Sequence, residues 1–124
     1  MEEDKNVMVA ALLIHAAKID DNYSDLERKT IKAALIELSN IPENEATQIL
    51  AKAEEKEKES NQIVQFTKDI KKKSIEYKLK IIEILWKIVY SDGVSDTYES
   101  NLIRRVCGLL YVSDRDSGEI KLKI

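Results

Sequence analysis

Two acidic stretches, 72 positions apart, hold the residues of this chain whose types and spacing could do chemistry. The first reads Asp20-Asp21-Asn22-Tyr23-Ser24-Asp25-Leu26-Glu27, and the second Asp92-Gly93-Val94-Ser95-Asp96-Thr97-Tyr98-Glu99. Each opens on an Asp and carries a Glu seven positions later. Carboxylate oxygens are hard ligands that suit Ca²⁺ or Mg²⁺. The candidate cofactor is therefore a divalent cation (Ca²⁺, Mg²⁺ or Zn²⁺). Its candidate ligands are Asp20, Asp21 and Glu27 at one turn and Asp92, Asp96 and Glu99 at the other. Should the turns lie close together, four or more acids would repel one another unless a cation or a basic group intervened.

Helix capping is the competing explanation. Ser24 with Glu27 makes a Ser-x-x-Glu capping box, and Asp96 with Glu99 makes a similar pair. Each cap is worth about 1 kcal/mol. Capping accounts for Glu27 and Glu99 in full. It accounts less well for Asp20 and Asp92, which fall at helix C-termini, where negative charge is mildly unfavourable. Neither stretch is an EF-hand, because Asp-to-Glu is too short for a twelve-residue loop.

The elements that must position these turns read as helices. Three Gly and one Pro in 124 residues favour helices over a many-turned β fold. A first helix over residues 4–19 is apolar nearly all round between Val7 and Ala17, as a central bundle helix would be. A second spans 26–39, with Ile31, Ala34, Leu35 and Leu38 on one stripe, and stops at Asn40-Ile41-Pro42. A third starts at Pro42 or Glu43 and turns Ala46, Ile49, Leu50 and Ala53 inward, with its alternating end at 54–59 in solvent. A short fourth, capped by Ser60 or Asn61, carries Ile63, Phe66 and Ile70. The fifth covers 74–91, with Ile75, Leu79, Ile82, Leu85, Trp86 and Val89 on one face. The sixth covers 97–111, with Leu102, Ile103, Val106, Leu109 and Leu110 inward. A last short helix follows Ser113 or Asp114, although Gly118 weakens it.

At the offset of 72, Leu13 matches Leu85, Ile31 matches Ile103 and Leu38 matches Leu110. The pattern predicts an all-α bundle of about seven helices in one domain, residues 1–124, with an internal pseudo-two-fold helix–acidic turn–helix repeat.

The remaining candidates are weaker. His15 has no second His with which to hold zinc, and reads as a packed helix histidine. Cys107, the only cysteine, excludes an internal disulfide and sits on an apolar face as a buried thiol. Trp86 and Tyr90 read as core residues. Arg104 and Arg105 are expected to pair with the nearby acids. No nucleophile–base arrangement and no Gly-rich phosphate loop is present, so no enzyme activity is expected.

A net charge of -3 argues against nucleic-acid binding. The basic stretch 68–80 could meet an acidic partner or anionic lipid, or be a solvated helix surface. The apolar run 7–14 is too short to span a bilayer and does not resemble a signal peptide, so a cytoplasmic location is expected.

The stretch Ile84-Leu85-Trp86-Lys87-Ile88-Val89-Tyr90-Ser91-Asp92-Gly93, followed by Tyr98-Glu99-Ser100-Asn101-Leu102-Ile103-Arg104-Arg105-Val106-Cys107-Gly108-Leu109-Leu110-Tyr111-Val112-Ser113-Asp114-Arg115-Asp116, resembles the TerB-like family. Ala10-Ala11-Leu12-Leu13-Ile14-His15-Ala16-Ala17, with Asp20 and Glu27, is similar to that family's first repeat. The family takes its name from a bacterial tellurite-resistance protein. The resemblance implies a non-enzymatic domain of about seven helices, associated with tellurite resistance and other stress responses. It also implies protein partners, including membrane-linked complexes, and related domains stand beside J-domains in co-chaperones. Its proposed metal turns map to Asp20 and Glu27, and to Asp92 and Glu99.

A scaffold role tuned by a divalent cation follows from the resemblance. The alternative is a metal-independent protein-interaction module akin to the co-chaperone domain. Two departures stand out. Asp21 replaces the family's usual Gly, and Ser117-Gly118 replace what is often an apolar helix start, which predicts a loose last helix.

Overall fold

Apolar surface on all sides of one helix organises the bundle. In the computed structural model, which describes residues 2–19, 25–59, 63–89 and 97–123, α1 (Glu2–Ile19) buries Val9 through Ile14 without a break, then Ala16 and Ala17. No single partner could cover such a surface. Accordingly α2 (Asp25–Ser39), α3 (Glu43–Glu59), α4 (Ile63–Thr67), α5 (Ile75–Val89) and α6 (Thr97–Leu110) all touch α1. The seventh helix, α7 (Asp114–Leu122), packs on α5 and α6. The described residues contain no strand, and one continuous apolar core runs through them. The expected all-α bundle of seven helices is therefore the observed fold.

The helix ends have chemical causes. Asn40 closes α2 in the left-handed region (φ 52°), which Asn tolerates better than most residues. Ser39 Oγ then donates to Asn6 Oδ1 at 2.9 Å and ties the end of α2 to the start of α1. Ser74 caps α5 by accepting from the Tyr77 N–H, and Ser113 caps α7 by accepting from the Asp116 N–H.

The end of α6 differs from expectation. Tyr111 is outside the helix with φ 61°, and its N–H reaches the Gly108 carbonyl. The Val112 N–H bonds the Cys107 carbonyl at 2.9 Å. This is a Schellman closure, and buried Val112 supplies the hydrophobic contact that usually accompanies it.

Four other expectations need correcting. Ile75 is 47% exposed, because it opens α5 before that helix reaches the core. Ile70 is buried but sits in a separate 3-10 turn, Ile70–Lys72, since α4 ends at Thr67. The end of α3 is not wholly in solvent: Glu57 is buried. The last helix is formed rather than loose, because Ser117 turns inward at its centre. The expected caps Ser60 and Asn61 lie outside the described residues, as does Tyr90.

Candidate functional site

Asp20, Asp21, Asp92 and Asp96 lie outside the described residues. Glu99 falls within α6, which is described there by its backbone alone. Glu27 is therefore the one predicted ligand whose side chain is described. It sits in the first turn of α2 and is only 4% exposed. A carboxylate removed from water that far requires interaction with its surroundings, and Glu27 has one. Among the described residues, no group of three or more His, Cys, Asp or Glu side chains could hold a metal ion.

A second buried carboxylate was missed by the sequence pattern. Glu57 accepts from Lys18 Nζ at 2.8 Å through Oε1, and lies 3.2 Å from His15 Nδ1 through Oε2. The ionised carboxylate only accepts, so the shared proton belongs to Nδ1. Burial pushes the Glu57 carboxyl up. The hydrogen bonds and charges of Lys18 and His15 outweigh burial and hold it below its ordinary value of 4.5. The His15 ring also meets Phe66 edge-on, with centroids 6.3 Å apart. The expected packed histidine is thus what the structure contains. The signal for Glu57 was its place on the stripe Ala46, Ile49, Leu50 and Ala53, all buried. One helical turn beyond Ala53, that stripe brings position 57 against α1.

The second half has its own polar contact. Trp86 Nε1 donates to Ser117 Oγ at 3.0 Å, joining α5 to α7. Cys107 is buried close by. Burial raises its thiol, a hydrogen bond with Ser117 opposes that, and the Asp114 charge adds to the rise. The thiolate is therefore disfavoured, which matches the inert buried thiol expected of it. Ser117→Ala removes the acceptor facing Trp86. Unfolding by urea should show a loss of about 1–3 kcal/mol, the usual cost of stranding a buried donor. A change near zero would mean that the contact contributes no net stability.

Two ion pairs join α2 to α3. Arg28 of α2 meets Glu54 of α3 at 3.1 Å, and Lys32 meets Glu43 at 3.0 Å. Arg104 and Arg105 are exposed, and the acids of the second turn with which they were expected to pair lie outside the described side chains. No helix among the described residues is long and apolar enough to cross a membrane.

Comparison with curated proteins and with solved structures finds no match. A family comparison does find one. The family described as tellurite resistance protein TerB matches residues 6–122. The match runs from the first turns of α1 to the end of α7 and takes in both acidic stretches. On that near-complete match, the chain belongs to the TerB family.

Proposed function

We propose that this protein is a non-enzymatic stress-response domain, related to tellurite resistance, that binds a divalent cation at its two acidic turns and acts as a scaffold for protein partners. The observation that carries this reading is the burial of Glu27 directly after the first turn. A carboxylate that only capped a helix would gain nothing from leaving water, whereas a cation ligand gains from a protected position.

The helix packing supports two equivalent turns. As α1 meets α6, α2 meets α5, and α7 lies against α5 as α3 lies against α1. The first residues of α2 and α6, Asp25 and Thr97, are 72 positions apart, the spacing of the sequence repeat. A pseudo-two-fold relation between the halves generates reciprocal pairs of this kind.

Thermal unfolding tests the cation. At a hundred times its dissociation constant, a ligand bound only to the native state adds about 2.7 kcal/mol of stability. The melting midpoint should rise with Ca²⁺, Mg²⁺ or Zn²⁺ and return with chelator. A midpoint indifferent to all three would contradict the reading.

One observation favours the metal-independent alternative. Lys68, Lys71, Lys72 and Lys80 are each exposed within the basic stretch 68–80, as is Ile75. An exposed basic stretch with an apolar member suits an acidic protein partner. Capture of such a partner at equal strength in chelator and in calcium would support that alternative over the first.

A further inference from the structure

A cavity of about 330 Å³ is lined by residues of α5, α6 and α7. The described residues that line it are Trp86, Ile103, Arg104, Asp114, Ser117, Gly118 and Lys121. That volume is within the range of small-molecule sites, which combine an apolar surface with a few polar groups. Here Trp86 and Ile103, both almost fully buried, supply the apolar floor. The indole N–H is engaged by Ser117, so the ring offers its apolar surface to the cavity.

The charged groups around this floor indicate what it would hold. Arg104 comes from α6, and Asp114 and Lys121 come from α7. Among the described lining residues, two cations stand against one carboxylate. Arg104 and Asp114 enter none of the ion pairs formed among the described residues, although they share a cavity. A guanidinium is a planar fork that matches carboxylate and phosphate oxygens. The Lys121 ammonium lies 5.0 Å from the Trp86 ring centroid, so the second cation stands directly over the apolar floor.

We propose that this cavity binds a small organic anion, a molecule with a phosphate or carboxylate group on a hydroxylated carbon skeleton. Arg104 holds the anionic group and Lys121 adds a second contact. Asp114 accepts from a ligand hydroxyl, and Trp86 and Ile103 cover the carbon atoms. None of the described residues that line the site is a candidate cation ligand.

Gly118 makes the proposal testable without damage to the fold. A β-carbon built there meets no atom within 4 Å, so a larger side chain would extend into open space at the cavity wall. Replacing a helical Gly with Leu also favours the helix.

The experiment is a titration of the full chain with glycerol 3-phosphate, with glycerol and inorganic phosphate as controls. Trp86 is the only tryptophan, so its emission reports on the cavity floor. Glycerol 3-phosphate should give a saturable change, glycerol none, and inorganic phosphate binding weaker by about tenfold, a difference of about 1.4 kcal/mol. Gly118→Leu should abolish the response while melting no lower than the parent, and Arg104→Gln should weaken it by about tenfold. No saturable response to glycerol 3-phosphate would overturn the proposal. So would a response that survives in Gly118→Leu, or equal affinity for inorganic phosphate.

Discussion

Replacing Phe66 with Ala should lower the unfolding free energy by about 3–5 kcal/mol, the usual cost of deleting a buried aromatic ring. Phe66 is fully buried. It sits on α4, which has only five residues and cannot be stable by itself. Its ring anchors that helix against α1, where it meets His15 edge-on. The substitution therefore opens a cavity and releases the helix that filled it. Val64, on the same helix, is 57% exposed, and Val64→Ala should change stability by less than about 0.5 kcal/mol. Urea denaturation followed by Trp86 emission would measure both. A Phe66→Ala loss below about 1 kcal/mol would contradict the tight packing described between α1 and α4.

The second large effect is expected at Glu57. Removing one member of a fully buried ion pair costs about 3–5 kcal/mol. Lys18 is 34% exposed, so water relieves part of that cost. Glu57→Ala should therefore lose about 2 kcal/mol at neutral pH.

The pH dependence has a definite sign. The native Glu57 carboxyl titrates below its ordinary value of 4.5. Its stabilising contribution is fully present above that value and is lost as pH falls through the lower native one. Glu57→Gln cannot titrate and lacks this dependence. The stability gap between parent and Glu57→Gln should be widest near neutrality and close on acidification below about pH 4.5. A gap that stays constant on acidification would show that charge at position 57 contributes nothing.

Periodicity made most of the fold legible. The stripe Ile31, Ala34 and Leu35, the all-round apolar α1, and the cap Ser113 could each be read from local spacing alone. The failures share a cause, which is that helix spacing does not tell where a neighbour's surface stops. Ile75 continues the apolar stripe of α5 and yet projects past the core. Glu57 looks like one acid in an alternating run, but it lies on the inward stripe of α3, opposite His15 and Lys18 of α1. Ser117 looks like a helix breaker beside Gly118, but its hydroxyl is the acceptor that the buried Trp86 needs. Long-range polar pairs of this kind, 42 positions apart for His15 and Glu57 and 31 for Trp86 and Ser117, leave no periodic trace. The candidate cation site was legible as a repeated pattern, and of its first copy Glu27 is buried.

The central claim is that the acidic turns bind a cation. Its most direct test is calorimetric titration of chelator-stripped protein with Ca²⁺, Mg²⁺ and Zn²⁺, run beside Asp92→Asn. The account predicts saturable binding of at least one cation, and in Asp92→Asn a loss of about tenfold or more in affinity with helicity unchanged. Absence of binding by any of the three, or equal affinity in Asp92→Asn, would contradict it and reduce both turns to helix caps.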